Sequence, residues 1–124
     1  MSTNNQQSRG ARSIGDQRTE IAEPKFTPGP WAVKGLNENL VYAKDGFVAD
    51  VHGGTKGSAS TVAKANAHLI AAAPELLAHV KLLEKTIEYE IRRSKAEGDD
   101  EGARLKTFTL YLVRDSIAKA EGRS

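Results

Sequence analysis

The chain has 124 residues, no cysteine, and 18 Lys and Arg against 16 Asp and Glu, a formal net charge of +2. That is one domain's length, and the missing cysteine excludes disulfides, thiolate metal sites and a cysteine nucleophile. Near-balanced charge gives no bulk attraction to nucleic acid. No apolar run reaches the length of a membrane span and residues 1–23 carry no signal-peptide core, so a cytosolic protein is expected.

Residues 1–23 hold only Ile14 and Ile21 as large apolar side chains after Met1. That is too little to offset the entropy of ordering, so a disordered arm is expected. Arg9, Arg12 and Arg18 are matched by Asp16, Glu20 and Glu23, unlike a basic nucleic-acid arm. A single domain is expected over residues 24–124. Pro28-Gly29 suits the centre of a type II turn, and Pro30 keeps the chain extended as it reaches Trp31. This lone tryptophan reads as a core anchor, or alternatively as a ring that stacks on a ligand.

Leu40–Lys44 and Phe47–Val51 flank Asp45-Gly46, the signature of a two-residue hairpin turn. That register sets Lys44 against Phe47, Tyr42 against Ala49 and Leu40 against Val51. It predicts Leu40, Tyr42, Phe47 and Val51 on one buried face. With the strand after Trp31 this makes a small antiparallel sheet within residues 26–52.

After the glycine-rich run His52–Ser60, apolar residues recur at three and four from Val62 to Ile91, predicting helix over about 60–96. Pro74 should kink or break it at Ala73. Lys81, Lys85, Arg92, Arg93 and Lys95 are interleaved with Glu84, Glu88 and Glu90, as on a solvated face. Gly98–Gly102 reads as an acidic turn, and a last helix over 103–120 should fold back on the preceding one. The fold class is therefore α+β, a sheet of three to four strands on a long helical hairpin. The last helix carries two apolar stripes, Leu105–Phe108–Leu112 and Leu110–Val113–Ile117. One suffices for a monomer, so a homo-oligomer is expected, with Val113 and Ile117 as the residues to test.

The glycine-rich loop is the best candidate for holding a phosphate. Gly54, Lys56 and Ser58 precede a helix N-terminus, where amides and dipole favour anions. It is not a Walker A loop, and the plainer reading is a connector capped by Ser60 or Thr61. On the last helix Arg104, Tyr111 and Arg114 fall within three turns, a combination suited to a nucleotide's phosphate and base or to an interface rim. His68 and His79 stand about 16 Å apart along a helix, too far to share a metal ion. No catalytic set, metal site or cofactor is expected.

Two blocks, Thr27-Pro28-Gly29-Pro30-Trp31 and Ala65-Asn66-Ala67-His68-Leu69-Ile70-Ala71-Ala72-Ala73-Pro74-Glu75-Leu76-Leu77, resemble those of a group of small phage and prophage proteins. The early Ead-type proteins of lambdoid phages carry a looser version. The resemblance covers roughly residues 26–83 and implies accessory phage biology in the host cytoplasm. Asn66, polar within an apolar stretch, is expected to bond to backbone of the loop or sheet. A second resemblance, of plan alone, is to phage anti-Thoeris sponge proteins, and no binding residue is carried over from it. Together these point to a protein that sequesters a nucleotide immune signal without catalysis. The alternative is an inhibitor that blocks a host defence protein complex. No membrane partner is expected.

Overall fold

A computed structural model describes residues 26–123, so the arm expected over residues 1–23 lies outside the described residues. Three short strands, β1 (Trp31–Lys34), β2 (Leu40–Ala43) and β3 (Gly46–Asp50), form an antiparallel sheet in that order. Three helices follow: α1 (Thr61–Ala71), α2 (Ala73–Ala96) and α3 (Asp100–Ala120). The α+β class holds. α1 covers the sheet, and α2 and α3 pair as the helical hairpin.

The hairpin register differs from the expected one. Ala43 pairs with Gly46 and Tyr42 with Phe47, so Lys44-Asp45 form the turn and Gly46 follows it at φ +146°. A shift beside Val41 and Tyr42 then pairs Val41 with Ala49 and leaves Val48 as the extra, bulged residue. Phe47 thus moves by two residues, from Lys44 to Tyr42, so Leu40, Tyr42 and Phe47 still share a face, but the helix covers the opposite face of β2, to which the bulge brings Val51. Val41 and Ala43 are buried, whereas Phe47 is 56% exposed and stacks edge-on with Tyr42, 5.5 Å between ring centroids. Lys34 sits over the Tyr42 ring on that same outer face. Val51 alone of the four predicted residues is buried.

Strand pairing and helix composition account for the inner face. Trp31 and Val33 pair with Ala43 and Val41, which places all four on one side. The covering helix presents Ala63 and Ala67, both fully buried, so its backbone comes close to the sheet. Such a gap suits valine and alanine, while the Tyr42–Phe47 pair is too bulky for it. Val41, Val51 and Ala67 form the centre of the core, with Trp31, Val33 and Ile70 packed around them.

Gly29 explains why the two sequence blocks occur together. A Cβ built there would lie 2.7 Å from Cβ of Pro74, so only glycine lets the first block rest on the start of α2. The peptide between Gly29 and Pro30 is cis. The break expected near Ala73 is present, with Ala72 between α1 and α2 and proline in the first turn of α2.

The last helix starts three residues earlier than expected, because Asp99 accepts a hydrogen bond from the Gly102 amide and caps it. Gly98, at φ +78°, closes α2, with the Asp99 amide donating back to the Ser94 carbonyl. Ile91 and Ser94 of α2 and Ala103, Leu110 and Ile117 of α3 are the buried residues of the helical hairpin. Lys106 donates to the Ser94 hydroxyl at 2.8 Å.

At the other end Lys81 reaches Glu121 at 2.5 Å, and Arg123 adds a second contact. A carboxylate at a helix C-terminus is disfavoured by the helix dipole, and these two cations offset that. Hydrogen bonds from Lys81 and then Arg123 hold the Glu121 carboxyl below its ordinary 4.5. A depressed folded-state pKa means stabilisation present above the ordinary value and lost as pH falls through the depressed one. Acid titration of stability should therefore flatten in Glu121→Gln, with the two unfolding curves converging once pH falls below the depressed folded-state value. Equal pH slopes for both proteins would refute the linkage.

Candidate functional site

The glycine-rich loop is closed on itself. The Gly53 amide donates to the Gly57 carbonyl at 3.1 Å, Lys56 to Gly53 at 3.1 Å and Gly57 to Gly54 at 3.2 Å. Ser60 caps α1 by accepting from the Ala63 amide, and its hydroxyl donates to Gly57. A Cβ on Gly53 would stand 2.4 Å from the Ser60 hydroxyl oxygen. The loop therefore has a folding reason for its composition, and these amides are already committed within it. Gly54 and Lys56 lie exposed in a single 3-10 turn, Gly54–Lys56, with Ser58 half-buried behind them.

The other candidates fall elsewhere. Trp31 lends its ring to the core, and its Nε1 donates to the Thr27 carbonyl at 3.0 Å. Arg114 is held by Glu84 at 2.9 Å and by Glu88, both across the hairpin on α2. Those two bonds raise its pKa further above the ordinary arginine value. Its charge ties the helices together. Arg104 pairs with Glu101 one turn back on its own helix, and Tyr111 is exposed. Arg104 precedes Ala120 by sixteen residues, about 24 Å along the axis, and Ala120 lines the same cavity as Trp31. One protomer does not gather the loop, the tryptophan and the arginines into one pocket.

A different surface does converge. Because Glu121 sits beside Lys81, the first two turns of α2 run past the end of α3. Leu76 and Leu77 are left with little cover from that helix. The break at Ala72 turns α1 so that Leu69 and Ile70 reach the same place. With Val80, Ile117 and Ala120 they line an open, almost wholly apolar groove of about 360 Å³. A smaller cavity of about 130 Å³ between Phe26, Trp31 and Pro74 adjoins it, sharing Ala73, Leu77 and Ala120. Leu69 and Leu76 are large apolar side chains exposed at this groove.

Sequence reasoning read the apolar residues from Leu69 to Val80 only as the periodicity of a helix, and so missed the groove. The signal was a surplus: that stretch is more apolar than one returning helix can cover. Asn66, expected to bond to backbone, is exposed beside Asp50 and His52 at a shallow cleft. Among the described residues the buried asparagine is Asn39, whose side chain donates to Asp50 at 2.8 Å while its carbonyl accepts from Val51.

No helix among the described residues is long and apolar enough to cross a membrane. Residues 19–124 match the model of a family described as Salmonella phage P22 protein Y8K6. No curated protein and no solved structure gives a match.

Proposed function

The chain belongs to the family of Salmonella phage P22 protein Y8K6, and from that premise we propose a phage accessory protein that acts by protein–protein contact. It works in the host cytoplasm, without catalysis, by seating an apolar segment of a host defence protein in the groove between α1, α2 and the end of α3. The observation that carries this reading is the groove itself. Apolar side chains held open to water on rigid helices are unfavourable until a partner covers them, and an amphipathic helix fits such a site. Co-purification from host cells tests it. Wild-type chain is expected to retain a host protein that the double variant Leu69→Glu, Leu76→Glu loses, while Leu82→Glu, exposed away from the groove, retains it. Equal retention by the groove variant would overturn the reading.

A second reading, sequestration of a nucleotide immune signal, is favoured by one observation. Arg104 and Tyr111, seven residues apart and both exposed, share a face of α3 where a neighbouring subunit could complete a pocket. A thermal-shift panel of cyclic dinucleotides, cyclic trinucleotides and cyclic ADP-ribose isomers separates the two. The protein-contact reading predicts no shift. A ligand released intact on heating would support the sponge.

A further inference from the structure

The expected oligomer was assigned to the stripe Leu110–Val113–Ile117, but Leu110 and Ile117 are buried against α2 within the protomer. The stripe left facing outward is Leu105, Phe108 and Leu112, which are 55%, 64% and 48% exposed. These three sit at spacings of three and four, the spacing of a coiled-coil seam. The same line continues to Glu101 in the first turn and to Asp115 and Lys119 toward the end. The seam is therefore apolar in the middle and carries an ion pair at each end, Glu101 with Arg104 at its start and Asp115 with Lys119 at its finish.

We propose that this outer seam of α3 binds a second copy of the chain, with the two α3 helices antiparallel and related by a twofold axis near residue 110. In both end pairs the acidic residue precedes the basic one, so only the antiparallel register brings unlike charges of the two copies together, which selects this occupant and this direction. In the antiparallel register Phe108 meets Leu112 of the second copy and the reverse, and each Glu101 lies opposite a Lys119. Asp115 of the second copy lies opposite Leu105, at the margin of the apolar stretch, where Arg104, one position from the seam, comes beside its carboxylate. A parallel pair would set Glu101 against Glu101 and Lys119 against Lys119, placing like charges together at both ends. Antiparallel helices also align their dipoles favourably. The product is a four-helix arrangement with α3 helices inside and α2 helices outside, and the groove at the base of each protomer stays open.

Light scattering and sedimentation of the full chain test the surface. Wild type is expected to be dimeric at tens of micromolar, and Phe108→Glu to halve the mass with an unchanged circular dichroism spectrum. Charge reversal then tests the direction. Glu101→Lys and Lys119→Glu should each weaken dimerisation by about tenfold or more, and the double variant should restore it. Since the chain has no cysteine, Glu101→Cys with Lys119→Cys supplies an independent readout. The two positions are eighteen residues apart, about 27 Å along one helix, so a disulfide can form only between copies. Oxidation is expected to give a covalent dimer. A monomeric wild type, a dimer indifferent to Phe108→Glu, or no rescue by the double charge reversal would each overturn the proposal.

Discussion

Ile117→Ala is expected to lower the free energy of unfolding by about 2–5 kcal/mol, while Phe108→Ala, studied dilute enough to keep the chain monomeric, costs less than about 0.5 kcal/mol. Both residues are large, apolar and on α3, so composition alone would rank them together. Their surroundings differ. Ile117 is 4% exposed and closes the hairpin against α2, so removing its side chain loses apolar burial and leaves a cavity. Phe108 points away from α2 into water and loses little within one protomer. Urea unfolding followed by circular dichroism measures both. A larger loss at Phe108 than at Ile117 would mean that the hairpin packs through the other stripe and that the proposed seam is internal.

Ala67→Leu is expected to cost about 1–3 kcal/mol or more by overpacking, and Phe47→Ala less than about 1 kcal/mol. Ala67 is fully buried where α1 approaches Val41, so added methylenes must push the helix off the sheet. Phe47 contributes an edge-on contact with Tyr42 on the open face. The ordering of these two variants reports directly which face of the sheet α1 covers. If Phe47→Ala were the more damaging, the Leu40–Tyr42–Phe47 face would be the core.

The contrast between those faces also shows how far the sequence could be read. Hairpin, helix break and helical return were legible because each rests on a local device: Asp45-Gly46, Pro74, and the turn at Gly98. Register was not, because a glycine that follows a turn and a glycine inside one look alike in sequence. Val48, the bulged residue, packs against the core cluster, a tertiary contact that local sequence does not display. The capping role of Asp99 was open to inspection, since Gly102 stands three residues on, but the acidic cluster drew attention to charge instead. Trp31 as an anchor followed from the stiff segment before it, and its contact with the core agrees with that reading.

For the candidate site the lesson runs the other way. Gly54, Lys56 and Ser58 had a chemical pattern suited to phosphate, yet the loop's hydrogen bonds give its glycines a folding role. Arg114 looked free in sequence because Glu84 and Glu88 are thirty and twenty-six residues away, and only the hairpin brings them to its guanidinium. The groove depends on where α3 stops relative to α2. That offset is a tertiary quantity that no single window of sequence contains.

Amide hydrogen exchange on the full chain, alone and with the host protein it retains, tests the account most directly. Added protection is predicted at Leu69–Val80 and at the last turns of α3 through Ala120, where the groove is lined, with the loop at Gly53–Ser60 unchanged. Protection confined to that loop, with the groove amides exchanging as fast as in the free protein, would contradict it.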